Sequence, residues 1–211
     1  MNNKCKCVIF DIDGTILNTE RMNFIPLQRV IKEEIGQDVE YEKLLKYKAY
    51  QGLRTVEELG FKDIERVYKK WVKYVNEFEE SAVLYDGFHE LIKTLDENGI
   101  ICAIASSKMK KQYEIDFHPT GLQNYMKAVV LAEDTEKHKP YPDPLLKAAE
   151  IAGVSPEDCV YVGDTIFDYK ATKAAGMKFA LALWGASDLT GIEADYNLKS
   201  PLDLLKELGI D

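Results

Sequence analysis

Apolar and polar positions alternate in two different ways along this chain. Residues 6–10 form a short apolar run that stops at the acidic turn Asp11-Ile12-Asp13-Gly14-Thr15. From about Thr19 to Glu80 apolar residues recur every three or four positions, as in Ile64, Val67, Tyr68, Trp71, Val75 and Phe78. That is the spacing of one helix face. It predicts helices over 21–35, 41–50, 56–59 and 63–78, with no strand among them. From Tyr85 onward helix and strand take turns. A helix over 88–98 leads to a strand over 100–105, and a helical stretch to a strand over 128–131. A helix over 144–152 precedes a strand over 159–162, and a helix over 168–175 precedes a strand over 178–183. A short strand over 196–198 and a helix over 202–208 close the pattern.

Strand–helix alternation with strands apolar on both faces predicts an α/β fold, a parallel sheet with helices on each side. Gly99 and Gly176 stand between a helix and the next strand, where a left-handed residue ends a helix. The helical stretch interrupts this unit after its first strand. The expected division is therefore 1–17 with 81–211 for the α/β core and 18–80 for an all-helical insertion, joined near 17–19 and 81–85. No internal repeat or low-complexity segment is present.

Composition narrows the function classes. With 211 residues, 46% hydrophobic and 30% charged, the chain is an ordinary globular one. Its net charge of −9 argues against nucleic acid as a partner, because neutralising phosphates needs a basic face. No apolar run approaches the length of a membrane span, so no membrane partner is expected. The start, Met1 to Cys7, runs into a strand without the apolar stretch of a signal peptide, which predicts a cytoplasmic protein. Cys5, Cys7, Cys102 and Cys159 lack a second ligand pair at metal spacing and read as packed, reduced thiols. His89, His118 and His138 are scattered; the first two read as surface or packing residues. Oligomeric state has no signal in the sequence.

In doubly wound sheets ligands bind beyond the carboxyl ends of the strands. The first strand is followed by Asp11-x-Asp13-Gly14-Thr15, and the second by Ser106-Ser107-Lys108. The third is followed by Glu133 to Pro140, which includes Lys139, and the fourth by Gly163-Asp164-Thr165-Ile166-Phe167-Asp168. One rim thus gathers four carboxylates, a hydroxyl pair and a lysine. Crowded like charges call for a cation, and carboxylate oxygens without His or Cys select a hard ion, Mg²⁺ first among them. Such a rim suits a phosphoryl group, whose oxygens need Mg²⁺ and Lys for charge balance. Two carboxylates in one short loop can then act as nucleophile and as acid and base. Taken singly the elements say less, since Asp168 could simply cap its helix.

As a set, these residues resemble the motifs of the haloacid dehalogenase superfamily. Asp11-Ile12-Asp13-Gly14-Thr15 is similar to the family's first motif and Ser106 to its second. Lys139 in Lys-Pro-Tyr-Pro-Asp-Pro resembles the third, and Asp164 with Asp168 the fourth. The insertion over 18–80 resembles the family's helical class-one cap, and the whole is closest in style to phosphoglycolate phosphatase-like members. The resemblance implies a Rossmann-like core and hydrolysis of a small-molecule phosphate ester. Asp11 would attack phosphorus to form an aspartyl-phosphate, and Asp13 would protonate the leaving group and then activate water. Mg²⁺ would be held by a carboxylate oxygen of Asp11, the backbone carbonyl of Asp13, and Asp164. Asp168 would act directly, through water, or by orienting Lys139. Ser106 and Lys139 would hold the phosphoryl oxygens, with the Ser107 amide an added donor. Arg54, in a cap segment Tyr50-Gln51-Gly52-Leu53-Arg54, is the candidate for gripping the rest of the substrate; a solvated helix-start residue is the alternative. Ser107 stands where Asn is usual and His138 where Gly is common.

Other readings stay open. A β-phosphoglucomutase-like phosphomutase tends to carry a His in the first cap helix, where this chain has Asn23. In such enzymes a cap Arg follows a Gly by three residues, whereas here Gly52 is followed by Leu53, Arg54 and Thr55. Pyrophosphate, sugar phosphates and nucleoside monophosphates are substrates the core motifs do not distinguish. A non-catalytic domain is disfavoured because every catalytic position is filled.

Overall fold

The computed structural model describes residues 5–210; the first four residues and Asp211, which the expected boundaries include, lie outside them. The chain divides into two compact units, one made from residues up to Asn18 and from Val83 onward, the other Thr19–Ala82.

The first unit is built on a six-stranded parallel sheet in the order β5-β4-β1-β6-β7-β8. The strands are β1 Cys7–Phe10, β4 Ile101–Ala105, β5 Met126–Val130, β6 Cys159–Gly163, β7 Lys178–Ala182 and β8 Tyr196–Leu198. β1 lies between β4 and β6, with Val8 opposite both Cys102 and Val160. Every residue of β1 and β6 is buried, which is why they read as unbroken apolar runs rather than alternating ones. Helices α5 Phe88–Glu97, α6 Lys110–Asp116, α7 Asp143–Ala152, α8 Ile166–Ala175 and α9 Asp203–Glu207 complete the unit. Ile9 packs among Leu145, Ala148 and Tyr161 in the cluster under α7 and α8. Its neighbour Phe10 meets Phe88 of α5 edge to face at 6.0 Å. Successive strand residues face opposite ways, so helices cover both sides of the sheet. A two-stranded antiparallel ribbon, β2 Leu17–Asn18 with β3 Val83–Leu84, stands where the two joining segments were expected.

The second unit contains α1 Glu20–Ile35, α2 Tyr41–Leu44, α3 Gly52–Glu58 and α4 Ile64–Asn76. It has its own core, including Phe24, Leu27, Val30, Leu44, Val56, Val67 and Trp71. The Trp71 indole donates to the Asn23 carbonyl at 2.8 Å. Two expectations need correction here. The helix expected over 41–50 ends at Leu44 and tightens into a 3₁₀ turn, Leu45–Tyr47, whose Leu45 and Tyr47 are only partly buried against the core, too little packing to hold a longer helix. The helix expected at 56–59 begins four residues earlier, at Gly52. A Cβ at Gly52 would lie 2.5 Å from the Tyr68 ring, so glycine there permits close packing instead of breaking the helix. Smaller differences are confined to element ends, where β5 begins at Met126 rather than 128. Among the described residues no helix is long and apolar enough to cross a membrane. All four cysteines are free thiols, three of them buried.

Candidate active site

The loop after β1 is folded by its own backbone. The amides of Thr15, Ile16 and Leu17 all donate to the Ile12 carbonyl, and Asp11 N donates to Val162 O at 2.9 Å on the neighbouring strand. Gly14 takes φ +79°, and a Cβ there would fall 2.3 Å from Asp164 Oδ2. Only glycine allows both the left-handed turn and that approach. A third loop supports the turn from outside: the Trp184 indole donates to Thr15 O at 2.9 Å, and a Cβ on Gly185 would sit 1.7 Å from Gly14 O. The Thr15 hydroxyl donates to Asp164 Oδ1 at 3.3 Å. The first and fourth strand-end loops are thereby fixed to each other.

Lys139 sits between two acids. Its Nζ lies 3.0 Å from Asp11 Oδ2 and 2.6 Å from Asp168 Oδ1. Burial alone would lower the pKa of this amine, but the two carboxylates override it and hold the pKa above its ordinary value. Asp168 is committed on both oxygens. Oδ1 meets Lys139 and the Tyr161 hydroxyl, while Oδ2 accepts from the amide and hydroxyl of Thr165. Thr165 Oγ1 in turn accepts from Asp168 N at 3.2 Å, a reciprocal cap at the start of α8. Asp168 therefore both caps its helix and orients Lys139.

Ser106 directly follows β4, buried, with its amide donating to Val130 O at 3.0 Å. Its hydroxyl accepts from the amide of Lys108 at 3.3 Å. Ser107 follows at the rim, half-buried. The structure thus brings Asp11, Asp13, Ser106, Ser107, Lys139, Asp164 and Asp168 to one end of the sheet. Arg54 belongs to the helical unit, in the first turn of α3. There it lies 4.5 Å from the Tyr50 ring centroid and 3.6 Å from Glu58.

Two residues given no role from the sequence also enter the site. Tyr161, wholly buried in β6, donates to Ala105 O at 2.8 Å and lies 3.1 Å from Lys139 Nζ. Burial, with Asp11 and Asp168 close by, keeps its phenol protonated far above the ordinary range. Lys108 pairs at 2.8 Å with Asp13 Oδ1 and at 2.8 Å with Asp116 Oδ2. A tyrosine in a doubly covered strand must find a partner for its hydroxyl, and that was the available signal for Tyr161.

The donor set fits a hard cation. One oxygen each from Asp11, Asp164 and Asp168, all buried, lie within 4.8 Å of one another. Asp11 Oδ1 is buried and accepts no hydrogen bond among the described residues. Burial pushes the Asp11 carboxyl up to about 6; Lys139 opposes this, while Asp168 and Asp13 add to it. A carboxylate so poorly compensated by protein groups has room for a metal charge. All-oxygen ligation is the preference of Mg²⁺.

Comparison with known proteins places the chain in a family. Residues 8–182 match the model of the haloacid dehalogenase-like hydrolase family. The chain is 32% identical over 205 residues to the phosphoglycolate phosphatase of Aquifex aeolicus (strain VF5), covering 95% of each. It is 26% identical over 207 residues to the pyrophosphatase PpaX of Anoxybacillus flavithermus (strain DSM 21510 / WK1), covering 96% of each. The fold matches the crystal structure of a hydrolase from Pseudomonas syringae with a TM-score of 0.84 at 24% identity, covering 97% of this chain and 98% of that one. With its motifs at the strand ends and its family model spanning most of the sequence, the chain belongs to the haloacid dehalogenase-like hydrolases.

Proposed function

We propose that this protein is a Mg²⁺-dependent phosphatase that hydrolyses a small-molecule phosphate through an aspartyl-phosphate on Asp11. The observation that carries the reading is the orphaned oxygen of Asp11, buried at the sheet's carboxyl rim with its partner oxygen against Lys139. Asp11, the Asp13 carbonyl and Asp164 would hold Mg²⁺. When bound, the ion supplies positive charge to the phosphoryl oxygens and to Asp11.

The chain's own groups do the rest. Asp11 attacks phosphorus, forming the Asp11–phosphorus bond as the ester bond breaks. Asp13 gives its proton to the departing oxygen and then takes one from the water that hydrolyses the acyl phosphate. Lys139, kept cationic by Asp11 and Asp168, and Ser106 hold the phosphoryl oxygens. Asp168 and Tyr161 keep the Lys139 amine in place. The helical unit over 18–80 acts as the cap that supplies specificity, with Arg54 gripping an anionic substrate tail. Three buried free thiols fit a reducing compartment such as the cytoplasm.

Phosphoglycolate and pyrophosphate head the substrate classes, since relatives of comparable length carry those names. A panel of phosphoglycolate, pyrophosphate, sugar phosphates and nucleoside monophosphates, ranked by kcat/KM, tests this. Phosphate release with Mg²⁺ and its loss in excess EDTA are expected. Full activity in EDTA, or no release from any member, would overturn the proposal. Net interconversion of sugar phosphates without release would favour the phosphomutase alternative.

A further inference from the structure

Lys108 ends the second strand loop but carries no part of the chemistry described so far. Its backbone is pinned on both sides: its amide donates to Ser106 Oγ, and its carbonyl accepts from Ala132 N at 3.1 Å. Its side chain is 4% exposed and reaches two carboxylates at 2.8 Å, Asp116 Oδ2 and Asp13 Oδ1. Asp116, also 4% exposed, closes α6, and its Oδ1 accepts from the Gln112 amide at 2.9 Å. Tyr113 and Phe117 stack at 5.0 Å and anchor that helix end. A chain of contacts therefore runs from α6 through Gln112, Asp116 and Lys108 to Asp13.

A buried Lys–Asp pair is by itself no better for stability than an apolar pair of similar volume. One carboxylate would already neutralise Lys108, yet it reaches a second, and that second one stands at the reaction rim. The Asp13 side chain is 35% exposed, far more open than the groups behind it. An acid that must meet a leaving oxygen gains rate from being held, since small misplacements are costly. We infer that Lys108, braced by Asp116 and Gln112, is a positioning residue that fixes the Asp13 carboxyl for proton transfer to the leaving group. The inference rests on Asp13 acting as the acid.

The test compares p-nitrophenyl phosphate with phenyl phosphate, which share a ring but differ in how much their leaving oxygen needs a proton. Values of kcat/KM report steps through departure of the phenol. Removing Lys108 alone would strand Asp116, so the charges are removed together in Lys108→Met/Asp116→Leu. Lys108→Met/Asp116→Asn is the second variant, which keeps a partner for Gln112, and melting curves confirm the fold of each. Asp13→Asn serves as the reference. General acids contribute about 10²–10⁴-fold, so misplacing one should cost about tenfold or more with phenyl phosphate. With p-nitrophenyl phosphate the loss should stay below about threefold. Equal losses on both esters, or none, in a folded variant would overturn the inference while leaving Asp13 as the acid. If Asp13→Asn itself affects both esters equally, the assignment of Asp13 fails, and the role of Lys108 with it.

Discussion

Replacing Asp11 by Asn should make the metal-free protein more stable, although the residue is assigned the central chemical role. The Asp11 carboxyl is raised from 3.8 to about 6, chiefly because burial removes water from its charge. At about 1.4 kcal/mol per pH unit, carrying that charge costs the folded state about 3 kcal/mol at neutral pH. The sign follows from proton linkage. Between pH 4 and 6 the folded chain holds a proton that the unfolded chain has released, so stability falls as pH rises through that window. Below about pH 4 both states are protonated and the penalty vanishes. Asn carries no charge at any pH, and Lys139 keeps Asp168 at 2.6 Å as its counter-ion. Thermal unfolding of wild type and Asp11→Asn in EDTA, from pH 4 to 8, gives the comparison. The variant should be about 2–3 kcal/mol more stable at pH 7.5, a rise in Tm on the order of 5–10 °C for a chain of this size. The gap should close toward pH 4. Added Mg²⁺ should stabilise wild type far more than the variant. A variant no more stable than wild type at pH 7.5, or a gap that does not change with pH, would refute the reasoning.

Other outcomes follow from named contacts. Tyr161→Phe leaves the buried Ala105 carbonyl without its donor and should cost about 1–3 kcal/mol on thermal unfolding, with a fall in phosphatase kcat as Lys139 loses a neighbour. Gly14→Ala forces an L-residue into a left-handed turn and against the Asp164 carboxylate. It should cost at least about 1–2 kcal/mol and weaken Mg²⁺ binding measured by calorimetry. Arg54→Ala should lower kcat/KM for the preferred substrate at least about tenfold, near 1.4 kcal/mol. Hydrolysis of p-nitrophenyl phosphate, which has no anionic tail, should change little, and equal losses on both would make Arg54 a structural residue.

The strand ends were legible in the sequence because a central parallel strand tolerates no polar residue until it leaves the sheet. Asp11, Ser106 and Asp164 therefore stand out against the apolar runs of β1, β4 and β6. Tyr161 is harder to place: its position in such a run implies a partner for its hydroxyl, but spacing alone cannot say that the partner is a lysine. The part played by Lys108 depends on Asp116, eight residues further on, and on Asp13, 95 residues earlier, a juxtaposition made only by the fold. The short elements of the helical unit are less legible in the sequence. Tyr41–Tyr50 carries helix-compatible residues, but with only partly buried anchors after Leu44 its propensity does not extend the helix. Gly52 lies outside the helix expected at 56–59, and its role, admitting the Tyr68 ring, is a tertiary contact.

Covalent chemistry at Asp11 is the claim on which the rest depends, and trapping the intermediate tests it most directly. Wild-type protein mixed with Mg²⁺ and its best substrate, quenched in acid within one turnover and digested, should yield a phosphorylated peptide containing Asp11. The label should be lost on mild base treatment, as an acyl phosphate is. Asp11→Asn should give neither the label nor turnover. Rapid phosphate release with no label on that peptide, or turnover by Asp11→Asn within about tenfold of wild type, would contradict the account.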